Sequence, residues 1–246
     1  MISLREVSYT FPNGFKALKS VSLEIELGEF IVLTGENGSG KSLLSFLLNG
    51  IRKASQGQIL YNNIPISKQE LEVRKKVGLI FQDSDTQIVG QTVYDDVAFG
   101  LENLKYKRKE IDSLVKQSLR SVGLAGYEKR LPSRLSGGEK KRLAIAGVLC
   151  MNPDLIIFDE PFNCLDYSGV KQVLNQMLKL HKAGKSILVI SHDLEKVFAH
   201  ASRLIIMGKG EILFDQEVRQ EHLPNQVANY PIKIPKCLKS EMTWLR

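Results

Sequence analysis

The segment GENGSGKS at residues 35–42 constrains the fold more than any other part of this 246-residue chain. It follows an unbroken apolar run at residues 30–33 and precedes a helix-like stretch at residues 41–49. An apolar run of this kind indicates a strand that is buried on both faces. The segment fits the pattern G-x-x-x-x-G-K-[ST], in which a glycine-rich turn joins a strand to a helix and surrounds phosphate groups. The sequence therefore predicts a strand–loop–helix unit that binds a nucleotide.

The chemistry of phosphate binding explains the residue types in this loop. Glycines let backbone N–H groups approach phosphate oxygens, and the start of the next helix adds a partial positive charge. We expect Lys41 to reach the β- and γ-phosphates and the Ser42 hydroxyl to coordinate Mg²⁺. A purely structural glycine-rich turn is the alternative, and the flanking strand and helix favour the nucleotide. The candidate nucleotide-binding residues in this loop are Gly35, Asn37, Gly38, Ser39, Gly40, Lys41 and Ser42.

Further apolar runs indicate the layout of the core. The runs at residues 155–158, 187–190 and 204–207 have the same character as the run before the loop. An amphipathic helical pattern at residues 170–180 separates the first two. Buried strands that alternate with helices predict a mainly parallel sheet with helices on its faces.

The ends and the middle of the chain have different patterns. Residues 2–8 and 20–26 alternate apolar and polar residues, which predicts two early strands. Residues 90–135 form a predicted helical insert. We therefore expect one domain over residues 1–215 and a short, loosely structured C-terminal extension over residues 216–246, which contains several prolines.

The apolar run at residues 155–158 ends in two carboxylates, Asp159 and Glu160. Successive side chains of a strand point to opposite faces, so the two acids can do different work at one strand end. We expect Asp159 to hold Mg²⁺ and Glu160 to act as the general base that polarises an attacking water. Paired acids at a strand end are often only solvated, and it is the glycine-rich loop upstream that favours a catalytic site.

Residues 135–142, LSGGEKKR, open another helix with a serine–glycine–glycine turn. Such a turn at a helix N-terminus is a second anion cradle. One γ-phosphate does not need two cradles in one subunit, whereas two copies that face each other head to tail would use both. A capped helix start is the alternative, but it does not explain the whole octet. The candidate residues are Ser136, Gly137 and Gly138.

With this octet, the chain resembles the ABC ATPase family over residues 1–215, and its motifs occur in the family's order. The resemblance implies an α/β P-loop NTPase fold with a mainly parallel sheet, antiparallel N-terminal strands and a helical subdomain. It implies ATP and Mg²⁺ as ligands and ATP hydrolysis as the activity. It also implies two protomers that sandwich the nucleotides, so that the serine–glycine–glycine turn of one protomer contacts the γ-phosphate held by the other.

The resemblance assigns roles to single residues. Gln82 resembles the Q-loop glutamine, which senses Mg²⁺ and the attacking water and couples the site to a membrane subunit. His192 resembles the switch histidine that contacts the γ-phosphate, and Asp166 resembles the D-loop aspartate at the dimer interface. Phe11, with Tyr9 as the second choice, resembles the aromatic residue that stacks on adenine.

Residues 81–87 (FQDSDTQ) and 92–100 (TVYDDVAFG) indicate one branch of the family. They are similar to energy-coupling-factor and cobalt/nickel-type ATPases, which show F-Q-x-x-x-x-Q followed by T-V-x-x-D-V-A-F-G. The resemblance implies an importer of a vitamin or a transition metal ion, in which this region binds a transmembrane subunit and a separate membrane protein captures the substrate. The chain departs from the branch by lacking Asn-Pro before the second glutamine. It also has a shorter C-terminal region than many members.

Composition narrows the alternatives. The net charge of +7 suits an anionic partner without choosing one. Family members that act in DNA repair carry long coiled coils, and those that act on ribosomes carry two ATPase units in one chain. This sequence shows no long coiled coil and only one ATPase unit, so we expect no nucleic-acid partner. A soluble ABC ATPase in cofactor assembly remains the main alternative to a transporter subunit. A P-loop kinase outside the family would leave the serine–glycine–glycine turn unexplained.

Cellular location follows from what the sequence lacks. No apolar run approaches the roughly 20 residues that a membrane-spanning helix needs. The three cysteines, Cys150, Cys164 and Cys237, are too scattered for a disulfide framework or a zinc site. These absences predict a cytoplasmic protein, and the resemblance to transporter ATPases implies a peripheral position on the inner face of the cell membrane. The cargo, and the choice between a homodimer and a heterodimer with a second ABC ATPase, stay open.

Overall fold

The computed structural model describes residues 1–218, 227, 229, 230, 232, 233 and 239–245 of the chain. The strands are β1 (Ile2–Thr10), β2 (Lys16–Ile25), β3 (Phe30–Gly35), β4 (Gln56–Tyr61), β5 (Ile64–Pro65), β6 (Val77–Ile80), β7 (Leu155–Asp159), β8 (Ser186–Ile190), β9 (Arg203–Gly208) and β10 (Glu211–Glu217). The helices are α1 (Lys41–Leu48), α2 (Glu70–Lys76), α3 (Val93–Asn103), α4 (Arg108–Ser121), α5 (Gly137–Leu149) and α6 (Tyr167–Lys182).

The larger sheet has the strand order β10-β9-β3-β8-β7-β6. Its strands are parallel except for β10, which pairs antiparallel with β9. Every residue of β3, β7 and β8 is buried, as their unbroken apolar sequences predict. In the register, Leu33 of β3 and Asp159 of β7 both lie opposite Ile190 of β8, so these strands end together at one edge of the sheet.

The smaller sheet is antiparallel and has the order β2-β1-β4-β5. Side chains of β3 alternate between two cores. Phe30 and Val32 pack with the helical part of the chain, whereas Ile31 and Leu33 pack with β1, β2 and α1. The predicted fold class, a mainly parallel sheet with antiparallel N-terminal strands and a helical subdomain, is confirmed.

The helical subdomain contains α3, α4 and the first part of α5. Their apolar faces meet in one core, to which Val97, Leu101, Val115, Leu119 and Leu143 contribute. Two of the helices, α3 and α5, begin with a capping box that satisfies backbone N–H groups which would otherwise lack partners. The helices α3 and α4 lie within the predicted insert.

The described part of the C-terminal segment is packed, which differs from the expected loose structure. Met242 is fully buried, and its carbonyl accepts a hydrogen bond from the Ala199 N–H at 3.0 Å. Thr243 Oγ1 lies 2.9 Å from His200 Nε2, and the Trp244 ring lies 5.5 Å from the ring of Tyr167. The three prolines of this segment and Cys237 lie outside the described residues. No helix in the described part of the chain has the length and hydropathy to cross a membrane.

Candidate functional site

The loop between β3 and α1 has a backbone that requires glycine at two positions. Gly35 has a φ of 140°, and a Cβ there would lie 2.0 Å from the carbonyl oxygen of Met207. Gly40 has a φ of 102°, and a Cβ would lie 2.6 Å from Leu18 Cδ2. Gly40 is also the N-cap of α1 and supplies no side-chain cap. The first N–H groups of α1 are therefore oriented to bind an anion.

Lys41 is folded into the curve of this loop. Its ammonium donates to the carbonyl oxygens of Gly35 at 2.8 Å and Glu36 at 2.7 Å, and Ser39 Oγ lies 3.4 Å away. The side chain is buried, and this burial lowers the pKa of Lys41, while the carboxylates of Glu160 and Asp159 oppose the shift. The loop thus encloses a cation at its centre.

Asp159 at the end of β7 meets the start of α1. Asp159 is 6% exposed. Burial raises the pKa of Asp159, and the nearby Ser42 hydroxyl opposes the rise. The structure therefore brings together the hydroxyl and the carboxylate that the sequence assigned to a metal ion.

Glu160 and His192 form a second pair at the same edge. Glu160 follows β7 with a φ of 43°, and its N–H donates to the Ile190 carbonyl at 2.9 Å. His192 Nδ1 lies 2.8 Å from Glu160 Oε1. An ionised carboxylate only accepts hydrogen bonds, so Nδ1 is the donor. The left-handed backbone at Glu160 turns its carboxylate out of the strand direction and toward the histidine.

Gln82 is exposed, and the loop that carries it is held from two sides. Gln87 bridges the loop to β6, since its amide accepts from the Phe81 N–H at 2.9 Å and donates to the Leu79 carbonyl at 3.1 Å. Lys141 of α5 donates from Nζ to the carbonyls of Phe81 and Gln82, both at 2.9 Å. Burial lowers the pKa of Lys141 to about 8, although Asp159 and Asp83 act in the opposite direction.

Sequence reasoning missed Lys141 and Gln87 as parts of the site. Gln87 is the second glutamine of the F-Q-x-x-x-x-Q pattern, but its hydrogen bonds go to backbone atoms. The partners of Lys141 are backbone atoms far away in the sequence, which leave no residue pattern. The one available signal for Lys141 was its position in the octet, within a helix that is otherwise apolar on its inner side.

The serine–glycine–glycine turn lies on the surface at the N-terminus of α5. Ser136 caps the helix: its Oγ accepts from the Glu139 N–H at 3.3 Å, and its own N–H donates to Glu139 Oε2 at 2.7 Å. Ser136 and Gly137 are exposed, and Gly138 is half-buried. In the described part of the chain, no hydrogen bond joins these residues to the loop of Lys41.

The two aromatic candidates have different surroundings. Tyr9 is a core residue with 7% exposure, and its hydroxyl accepts from Arg52 at 3.4 Å. Phe11 is half-buried at the end of β1, and its ring is stacked 6.4 Å from Phe15, which is 62% exposed. Phe11 and Phe15 therefore offer aromatic surface that Tyr9 does not. Asp166 Oδ1 caps α6 by accepting from the Gly169 N–H at 2.7 Å.

A profile described as "ABC transporter" matches residues 18–163. The chain belongs to the ABC transporter family of proteins, as the order of its motifs predicts.

Individual relatives are more specific. The chain is 44% identical over 216 residues, 87% of its length, to an energy-coupling factor transporter ATP-binding protein EcfA2 of Methanospirillum hungatei, but it spans only 54% of that relative. It is 39% identical over 241 residues to EcfA1 of Fusobacterium nucleatum, with 97% of this chain and 90% of the relative covered. The solved structure of cbiO1 from Clostridium perfringens, described as part of the ABC transporter complex cbiONQ, is 35% identical, with a TM-score of 0.78 and 88% of each chain covered.

Proposed function

We propose that this chain is the ATP-binding and ATP-hydrolysing subunit of a membrane transporter of the energy-coupling-factor type. The observation that carries the proposal is the group at the common edge of β3, β7 and β8. There the Lys41 ammonium, the Ser42–Asp159 pair and the Glu160–His192 pair meet within one site. A cation for the phosphates, two hard oxygen ligands for a metal and a carboxylate that can orient water are groups that serve phosphoryl transfer to water.

ATP and Mg²⁺ are the proposed ligands. The loop of Lys41 binds the triphosphate, and Phe11 stacks on adenine. Ser42 and Asp159 fit Mg²⁺ because it prefers oxygen ligands, and Gln82 is the third proposed ligand. When bound, Mg²⁺ neutralises charge on the phosphate oxygens.

Hydrolysis follows from the pair at Glu160. The Glu160 carboxylate takes a proton from a water molecule while the oxygen of that water bonds to the γ-phosphorus. The bond between the γ-phosphorus and the bridging oxygen breaks, and ADP leaves with the electron pair. His192 holds the Glu160 carboxylate through Nδ1. Its other ring nitrogen, when it also carries a proton, is the proposed donor to the γ-phosphate.

The exposed turn at Ser136 and Gly137 supports a dimer. Two copies that face each other would place this turn on the γ-phosphate bound by the partner, so ATP would stabilise the closed arrangement through contacts that the open one lacks. The same argument holds for a homodimer and for a heterodimer with a second ABC ATPase.

An apolar groove of about 590 Å³ supports a membrane partner. It lies between α2, α3 and α5, beside the loop of Gln82. Leu71, Val89 and Phe99 line it with exposed fractions of 71%, 62% and 52%. A groove lined by such exposed apolar side chains favours the packing of a partner's helix into it. The proposed occupant is a helix of the transmembrane subunit, which places the chain on the inner face of the membrane.

The proposed cargo is a vitamin or a transition metal ion, delivered by a separate substrate-capture membrane protein. The similarity to energy-coupling factor transporter ATP-binding proteins supports this branch.

The test is affinity purification of the full chain from detergent-solubilised membranes. We expect integral membrane proteins to copurify. Phe99→Asp and Leu71→Asp should lose these partners and keep ATP affinity, because the groove lies outside the nucleotide site. Leu131→Asp is the matched control, since Leu131 is 44% exposed and lies outside the groove. Recovery of soluble enzymes alone would instead favour an ATPase of cofactor assembly.

A further inference from the structure

Lys141 is an unusual lysine because it is almost fully buried and all of its contacts given above are to one loop. Its exposed fraction is 2%. Lysine is rarely buried to this degree unless its charge has partners. Here the partners are the carbonyl oxygens of Phe81 and Gln82, each 2.9 Å from Nζ. Hydrogen bonds from a charged donor are stronger than those between neutral groups, so this contact fixes the loop backbone firmly.

The contact joins two segments of the proposed nucleotide site that lie far apart in the sequence. Lys141 lies in α5, five residues after Ser136, whereas Gln82 follows β6. The neighbouring Lys140 adds a second tie, since its Nζ lies 2.6 Å from Asp85 Oδ1. That pair is weaker, because Asp85 is 67% exposed and solvent screens the charges. Arg142 continues the series by donating to Gln172 of α6. The first turns of α5 are therefore attached both to the Gln82 loop and to the helix that follows Asp166.

We propose that Lys141 is a positioning residue that fixes the backbone of Gln82 to the helix beginning at Ser136. Any displacement of that helix when Ser136 meets a nucleotide on a second protomer then moves Gln82 as well. The hydrogen bonds of Lys141 end on the backbone of the Gln82 loop, so its proposed action is through Gln82. The inference rests on the proposed function, because it requires Gln82 to act in the site.

The experiment compares variants of the full chain, in the assembly in which it purifies. Lys141→Met keeps the length of the side chain and removes the donor. We expect kcat for ATP hydrolysis to fall about tenfold or more, since small displacements of a catalytic group are costly, while the ATP dissociation constant measured without Mg²⁺ stays within about twofold. Lys141→Arg, which retains charge and donors, should restore most of kcat. Lys116→Met, at an exposed position of α4, is the control and should change kcat less than about twofold.

A double-mutant cycle with Gln82→Ala distinguishes failure of the Lys141 inference from failure of the proposed function. If Gln82 is the residue that Lys141 positions, Lys141→Met should reduce kcat little further once Gln82 is already alanine. Equal reductions in both backgrounds would overturn the inference and leave the proposed function intact. A normal kcat in Gln82→Ala alone would instead remove Gln82 from the proposed mechanism.

Thermal unfolding tells positioning from a general packing defect. A Lys141→Met variant with lower thermal stability and weaker Mg²⁺-free ATP binding would mark Lys141 as merely structural and contradict the proposal. Lys141→Gln keeps a shorter donor and provides a second folded variant for the same measurements, with an intermediate kcat expected.

Discussion

Glu160 combines an uncommon backbone conformation with a well-defined partner. Few residues other than glycine adopt a φ of 43°, and such strain persists only where the surroundings hold it. At Glu160 the surroundings are a backbone hydrogen bond to β8 and the His192 ring. The strained conformation therefore fits a residue whose carboxylate must point in one direction, at a cost in local backbone energy.

Replacing Glu160 by glutamine tests its assignment as general base. Glu160→Gln keeps the shape of the side chain and removes the proton acceptor, so we expect turnover to fall by about 10²–10⁴-fold. ATP binding should persist, because the loop of Lys41 is unchanged, and the closed dimer should accumulate with ATP in size-exclusion chromatography. Glu24→Gln, at an exposed position of β2, is the control. Normal turnover in Glu160→Gln would refute the assignment.

Residues at strand ends were accessible to sequence reasoning in a way that Lys141 was not. Asp159 and Glu160 follow an apolar run directly, and parallel strands bring their carboxyl ends to one edge of a sheet. Lys41 sits in a loop whose glycines are fixed by close backbone approach. The contact from Lys141 to the Gln82 loop spans 59 residues and ends on a carbonyl oxygen, so no residue type along the sequence marks it.

At the scale of elements, the helices α3 and α5 both begin with a capping box, but only one of the two helix starts has a proposed role in nucleotide binding. Thr92 and Ser136 each accept a hydrogen bond from the N–H of the third helical residue, and Asp95 and Glu139 return the bond. The capping box stabilises each helix start in the same way. Only the one at α5 belongs to the proposed nucleotide site.

Variants of the two caps should therefore have the same effect on stability and different effects on ATP turnover. Thr92→Ala and Ser136→Ala should each lower the free energy of unfolding by about 1 kcal/mol, measured by urea denaturation, because each loses a cap. Ser136→Ala alone should also reduce ATP turnover, since its hydroxyl is the proposed contact to the partner's γ-phosphate. Equal turnover in both variants would argue against that contact.

The elements predicted best were those with a strong periodic pattern. The helices α4 and α6 and the buried strands β3, β7 and β8 agree with their apolar spacing. The strand β10 was not predicted. It is an edge strand in which Phe214 alone is buried, and its sequence lacks the long apolar run of the central strands.

At the scale of the whole molecule, the C-terminal segment is the main departure from expectation. Met242 has no exposed surface and belongs to the core that also contains α3 to α6. A segment whose apolar residues show little periodicity does not reveal from sequence that it packs on the core, because the contacts are set by tertiary structure.

Truncating this buried side chain tests the docking. Met242→Ala should lower the free energy of unfolding by about 2 kcal/mol or more, as for other large-to-small changes in cores. Urea denaturation measures the loss, and Leu213→Ala, at a position that is 38% exposed, is the control. Equal stability of Met242→Ala and the native chain would mean that residues 239–245 do not pack on the core in solution.

The place of Trp244 has a practical consequence. It is the single tryptophan of the chain, and its ring lies beside Tyr167, one residue after Asp166, and 4.7 Å from Lys196 Nζ. Indole emission is sensitive to neighbouring charge and water, so the protein carries an intrinsic optical reporter next to its expected subunit contact. Stopped-flow fluorescence can therefore time the opening and closing of the proposed dimer with no attached dye.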